Sequence, residues 1–435
     1  MAVELHYPRA LVALTVDLDG EAEPLDVVVI PRRVTLTRRP HTHADTADIE
    51  LGGAHLPFDP RTLRSVVATV FLGEGRTLDD MGWRSEATRR FIGFADTFDT
   101  EQEDDDVLTL KVRDLSATLR DAKPLPPDAC PHYGDSLETA IARILDETPG
   151  GEALDLYFTD DAGDVPIGGL VSARMRSGPI HLEPNMTAWG AIEYVAGLAN
   201  RLVTVELDRV VVRLPREVYA NTQNPRASLV FNAETANLTR LTSTKKFIRN
   251  RKGIRCVSFD PATRTRLEFD YPPDSELPSR RRAPATRRAR RAAPKPPERD
   301  VFPVQGVTTL EGLREVAQGI WQQRSRQEIA LAADTPYFTE PFLGMRPGDR
   351  VRIQLNRALA AGLNGLQSRP ARVAYVARRL GLDRRTAEIL VNAAEHPGTD
   401  LFYVHEVTLK WSPEGDIGAH LELINMIEVG AQGVA

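Results

Sequence analysis

The sequence predicts an α+β protein, mainly β, in which two related β-barrel domains flank a small α/β unit and carry helical inserts. Three observations predict it. Toward both ends of the chain, short runs alternate apolar and polar residues between turn residues, the pattern of half-buried strands. After Lys123-Pro124-Leu125-Pro126-Pro127, whose prolines interrupt regular pairing, the period becomes helical. Two distant stretches, Phe91 to Val112 and Phe402 to Ile424, share a layout of long strand, acidic turn and long returning strand, each closing a β-rich section.

Residues 1–122 read as the first barrel. Leu11 to Leu18 alternates and ends in Asp19-Gly20, a turn in which glycine can take positive φ. Val27 to Ile30, Val34 to Thr37, Ala47 to Leu51 and Val66 to Leu72 are further strands, and Phe91 to Val112 is a hairpin with a charged tip at Glu101 to Asp106. Residues 123–215 read as the α/β unit. Leu137, Ile141, Ile144 and Leu145 form one helical stripe, and Asp135 and Glu138 have capping-box spacing at its start. Trp189, Ile192, Val195, Ala196 and Ala199 form a second stripe with Thr187 as cap, followed by a strand pair turned at Asp208-Arg209.

Residues 216–276 and 301–435 read as the second barrel. Gly253 to Phe259 and Arg264 to Phe269 form a hairpin, a helix opens at Thr308 and Glu311, Glu328 to Ala332 is a strand, and two short helices flank Gly381. Between them, 277–300 reads as a flexible basic loop rich in proline and arginine, with too little apolar surface to offset its ordering entropy.

Composition narrows function. Lys+Arg number 55 against 61 Asp+Glu, a net charge of −6, which argues against a general polyanion binder. Two cysteines, Cys130 and Cys256, support neither a disulfide framework nor a thiolate metal cluster. No apolar run approaches the roughly 20 residues of a membrane span, and the first ten residues do not read as a secretion signal. The chain is expected to be cytoplasmic at synthesis.

Chemistry-bearing motifs are few. His41-Thr42-His43 with Asp45 could share an ion, but no further ligand stands at a recognisable spacing, so a solvated loop is expected. Cys130-Pro131-His132 are too close in sequence for thiolate activation. Residues 373–395 have the rhythm of a helix-turn-helix that would offer Arg384, Arg385 and Glu388 to a major groove; bracketed by strands, they read first as a helical insert packed on a barrel. The basic run Arg280, Arg281, Arg282, Arg287, Arg288, Arg290 and Arg291 could attract nucleic acid or an acidic surface, though it lacks interleaved aromatics. No phosphate loop, nucleophile elbow or HExxH motif is present, and the expectation is a chain with no catalytic residues, cofactor or metal.

Five stretches in order resemble the phage baseplate or tail hub family, which includes late control protein D and the hub part of type VI secretion spike proteins: Phe91 to Asp114, Met186 to Val212, Val307 to Leu331, Met345 to Val351 and Tyr403 to Leu423. Residues 277–300 depart from the pattern. The resemblance implies a homotrimer whose two barrels per chain form a pseudo-sixfold ring joining a hexameric tail tube to a trimeric spike. Expected partners are other copies, the tube protein, the spike protein and tape-measure or other baseplate proteins, with nucleic acid only as cargo through the lumen. The ring-wall candidates are Phe91, Phe94, Phe98, Leu108, Leu110 and Val112 in one hairpin and Tyr403, Val407, Leu409, Leu421 and Leu423 in the other, with the basic run as a further contact. The alternative is a DNA-binding regulator using 373–395; a cell-wall hydrolase fused to a hub is a third possibility, for which no extra domain with a carboxylate pair is available.

Overall fold

Period-two alternation builds seven antiparallel strands in the first section: β1 (Tyr7–Leu18), β2 (Leu25–Val29), β3 (Arg33–Arg38), β4 (Thr46–Gly52), β5 (Leu63–Gly75), β6 (Arg89–Glu101) and β7 (Val107–Asp114). A one-turn helix, α1 (Leu78–Met81), follows β5. The computed structural model describes residues 7–424 except 40–42, 53–55, 76, 84, 102–106, 123–125, 133, 160, 165–179, 181, 183–184, 200, 214–226, 232–237, 246–252, 261–264, 274–298, 304–308, 315–316, 319–328, 337 and 397–399. The strands lie in the order β2-β1-β5-β6-β7-β4-β3. Their inward residues, among them Val12, Leu14, Leu36, Ile49 and Leu110, are fully buried.

The middle unit changes to helices because its apolar residues recur every three to four positions. It comprises α2 (Ser116–Asp121), α3 (Leu137–Asp146), α4 (Ala188–Leu198) and a sheet of β8 (Asp155–Phe158), β10 (Arg209–Arg213) and β9 (Leu202–Glu206). Thr187 caps α4, accepting from the Gly190 N–H at 3.0 Å, as expected. The cap of α3 is Ser136, which accepts from Thr139; Asp135, the expected cap, instead pairs with Arg143 at 2.7 Å. The β9–β10 turn is Leu207-Asp208, one residue earlier than expected, since Glu206 lies opposite Arg209.

The second section holds β11 (Ala227–Phe231), β12 (Arg240–Lys245), β16 (Ile329–Thr335), β17 (Arg350–Leu355), β18 (Leu401–Trp411) and β19 (Gly418–Ile424), with α5 (Arg357–Asn364), α6 (Arg369–Leu380) and α7 (Arg384–Glu395) inserted before β18. The expected hairpin is present as β13 (Gly253–Asp260) and β14 (Thr265–Tyr271); with β15 (Arg299–Pro303) it makes a separate sheet around Ile254 and Cys256. Leu310 to Arg314 are helical, with the Thr309 hydroxyl accepting from Gly312 at 3.1 Å.

Five strands of the first section recur in the same order in the second, although β1 adds to β5 antiparallel where β11 adds to β17 parallel. The order β3-β4-β7-β6-β5 is matched by β12-β16-β19-β18-β17. The register repeats too: Val34, Ile49, Leu110 and Phe98 form one transverse row, and Leu241, Ala333, Leu421 and Val407 form its counterpart. Each long hairpin breaks register at the same place, between Ala95 and Thr97 opposite Val112 and Lys111, and between Val404 and Glu406 opposite Leu423 and Glu422. Conserving a bulge through both copies fixes the same bend in both strands.

Where two separate barrels were expected, the described strands close into neither. β3 pairs with β18, so one 13-stranded sheet runs through both sections, and a single apolar core lies behind it.

Candidate functional site: the seam between the sections

The seam forms because β18 changes partner along its length. Leu401 to Tyr403 pair with β17; past the bulge, Val407 to Trp411 pair with β3, with Thr408 opposite Thr37 and Leu409 opposite Leu36. The Thr37 and Thr408 hydroxyls lie 3.4 Å apart. Arg39 faces Glu406 at 3.8 Å and Arg33 faces Asp416 at 3.5 Å, pairs exposed enough to orient the strands more than to stabilise them. At the end of β18, the Trp411 Nε1–H donates to the Pro8 carbonyl at 3.2 Å and ties in β1.

Beside the seam, three parts of the chain meet in a small cleft lined by Arg38, Asp45, Arg90, Phe91, Asp114, Leu207 and Arg346. Arg38, 3% exposed, donates to the carbonyls of Leu343, Met345 and Arg90 at 2.8, 2.6 and 3.1 Å. Arg90 reaches Glu340 at 2.5 Å, Arg89 reaches Asp208 at 2.9 Å and Arg346 reaches Glu206 at 3.0 Å. The β9–β10 turn enters this cleft with Leu207 at φ 60°, a left-handed conformation that costs a non-glycine residue about 1–2 kcal/mol. β6 is the shared wall: Phe91 packs into the core of the sections, while Ile92 and Phe94 pack against that of the middle unit.

Two carboxylates stand at the floor. Asp114 accepts from the Asp45 N–H at 2.6 Å and from the Ser116 N–H at 2.9 Å, and Asp45 accepts from the Arg39 N–H at 2.8 Å. Burial, then the charge of Asp114, pushes Asp45 up to about 7, against the opposing pull of the Arg39 N–H, Arg38 and Arg346. Burial raises Asp114 as well and lowers Arg120, whose guanidinium lies 4.5 Å over the Trp189 ring. These groups lock the units together. Among the described residues, no cluster of three or more His, Cys, Asp or Glu is placed to hold a metal.

Of the hairpin candidates, Phe91, Leu108, Leu110, Val112, Tyr403, Val407, Leu409, Leu421 and Leu423 are buried within the chain, where they shape the hairpins. Phe94 is half-buried against the middle unit, and Phe98 is 40% exposed. The seven arginines from Arg280 to Arg291 and the acidic tip at 102–106 lie outside the described residues, as do His41 and Thr42. The helix-turn-helix-like segment is α6 and α7, joined through Gly381 at φ 65° and Asp383, which caps α7. Arg384, Arg385 and Glu388 are exposed, while Ala387, Leu390 and Val391 enter the core.

Sequence reasoning read both seam strands but missed their pairing and missed β12, although a signal for β12 was available. β3 reads Arg-Val-Thr-Leu-Thr-Arg and β12 reads Arg-Leu-Thr-Ser-Thr-Lys, two versions of one pattern.

No protein-family model matches the sequence, and no curated protein matches it. Solved structures do. A tail protein from Neisseria meningitidis MC58 superimposes with a TM-score of 0.52 at 14% identity, covering 95% of this chain and 96% of that one. The 43 kDa tail protein of prophage MuSo2 from Shewanella oneidensis gives 0.53 at 13% identity, covering 95% and 98%. The chain has the fold of these phage tail proteins. At such identities the likeness is one of fold, and it runs end to end across both sections and the unit between them. No described helix is long and apolar enough to cross a membrane.

Proposed function

We propose that the chain is a structural hub of a phage tail or phage-derived injection machine, three copies of which form a pseudo-sixfold ring between a hexameric tail tube and a trimeric spike. The observation that carries this is the five-strand repeat with its shared bulge. A chain that presents two equivalent sections lets a threefold assembly offer six similar surfaces, so one ring meets a sixfold neighbour on one face and a threefold neighbour on the other. The tail-protein fold supports the same assignment. The role is mechanical: the locked seam and cleft hold the two sections at a fixed angle, and no chemical step is invoked. Its partners are other copies, the tube protein and the spike protein, within the assembled particle.

Light scattering of the purified chain, alone and with its spike protein, tests this. A mass of three chains, with electron-microscopy averages showing six lobes, is expected. A chain that stays monomeric with its spike present, or a ring lacking sixfold pseudosymmetry, overturns the proposal.

A further inference from the structure

The internal repeat makes the seam a template for a second contact. Within the chain, β18 leaves β17 after Tyr403, bulges, and offers its distal half to β3. β6 does the same in the other section: it leaves β5 after Phe94, bulges, and runs on to Glu101 with β7 on one side and, among the described residues, no strand on the other. The counterpart of β3 is β12, which ends the 13-stranded sheet and, among the described residues, pairs with β16 alone. The fold therefore holds one used copy of a strand junction and both halves of an unused one.

We propose that the distal half of β6 in one copy pairs with β12 of the next, reproducing the β3–β18 seam between chains. This rests on the ring reading above and supplies its subunit contact. Transferring the register of the seam, where Val407 faces Arg38 and Thr408 faces Thr37, places Phe98 opposite Lys245, Asp99 opposite Thr244, Thr100 opposite Ser243 and Glu101 opposite Thr242 of the neighbour. The contact is head-to-tail, so it closes only by forming a ring, with seams within and between chains alternating around it.

Two independent features favour a second copy as the occupant. Phe98 is 40% exposed, whereas its counterpart Val407 is 0% exposed under β3; the missing cover is a strand at this edge. Charge is complementary as well. Past the bulge β6 carries Asp99 and Glu101 and the sequence continues with Glu103 to Asp106, while β12 carries Arg240 and Lys245 and the sequence continues with Lys246, Arg249, Arg251 and Lys252. Neither edge carries the proline that commonly blocks strand addition.

Cysteine cross-linking tests the register. Directly opposed residues in antiparallel strands approach closely enough for a disulfide, so Thr37→Cys with Thr408→Cys serves as the within-chain control. Asp99→Cys with Thr244→Cys, oxidised at the concentration where the wild type is trimeric, is expected to give covalent dimers and trimers on a non-reducing gel, and neither single variant a trimer. A trimer by light scattering that yields no intermolecular link, although the control pair closes, overturns this contact and leaves the ring standing. A wild type monomeric at every concentration, with its spike protein present, overturns both. A second variant reads the same edge through charge: Glu101→Lys, diagonal to Arg240 in this register, should weaken trimerisation at least tenfold at low salt, and Arg240→Glu in the same chain should restore it. Undiminished trimerisation in the first variant counts against the contact.

Discussion

Arg38 donates to the Met345 carbonyl at 2.6 Å across 307 residues of sequence, and its other bonds reach Leu343 and Arg90. A single buried guanidinium thus satisfies backbone acceptors from both sections. Replacing it with Met keeps the apolar stem and strands three carbonyls. Leaving buried hydrogen-bonding groups unpaired costs about 1–3 kcal/mol for each group that water cannot reach, so Arg38→Met should lower the unfolding temperature by several degrees, read by calorimetry. Lysine, lacking the planar fork, should recover only part of the loss. An unchanged melting curve for Arg38→Met would show that the cleft contributes nothing to holding the sections together.

The carboxyl of Asp45 gives the molecule a pH dependence with a definite sign. Its pKa is about 7 in the folded chain against 3.8 ordinarily. Between those values the folded state binds the extra proton, so the contribution of Asp45 to stability is greatest below pH 4, falls as pH rises through 4 to 7, and is level beyond. Three pKa units correspond to at most about 4 kcal/mol, and the raised Asp114 acts in the same direction. Asp45→Asn keeps an acceptor for the Arg39 N–H and should flatten this limb, gaining about 1–2 kcal/mol at pH 8. Denaturation midpoints at pH 4, 6 and 8 measure it; an equal slope in wild type and variant would refute the assignment.

Much of this architecture is legible in the residues. The alternation of Leu11 to Leu18 and the turn at Gly20, which takes φ 88°, appear in the structure as read. So does the shared layout of the two hairpins, because each alternates over a length that only a long paired strand can use. What escaped was pairing. β3 and β12 are six residues each, too short for periodicity to mark a partner, and partner choice depends on the bulges at Asp96 and His405, which leave no signal in hydropathy. The cleft escaped for a related reason: Arg38, Asp45, Arg90, Asp114 and Arg346 look like surface charges until the fold gathers them.

Gly93 is where β6 and β7 come closest. A Cβ there would sit 2.0 Å from the Arg113 carbonyl oxygen, so an alanine must displace the β7 backbone. Overpacking of this kind costs about 1–3 kcal/mol or more, and Gly93→Ala should destabilise the chain and reduce protease resistance of the hairpin. Gly197, in α4, has nothing within 4 Å of its Cβ position. There alanine should stabilise by about 0.5–1 kcal/mol through helix propensity and loss of unfolded-state entropy. Equal effects at the two sites would show that the close strand approach is not real.

The helical pair α6 and α7 separates the structural reading from the DNA-binding one. Leu390 is buried in the core, the Thr386 hydroxyl donates to the Ser243 hydroxyl at 2.9 Å, and Arg372 joins the helices through Glu395 at 2.6 Å. A helix committed to β12 and β17 in this way serves packing, so Leu390→Ala should cost about 2–5 kcal/mol. Arg384 and Arg385 face solvent, and truncating either to alanine should change stability by less than about 0.5 kcal/mol. The same arginines are the ones a recognition helix would insert into a groove. If the wild type retards duplex DNA in a gel and Arg384→Ala with Arg385→Ala abolishes the shift while folding is intact, the segment reads sequence; retention unaffected by both changes, together with the loss in Leu390→Ala, assigns it to the wall of the second section.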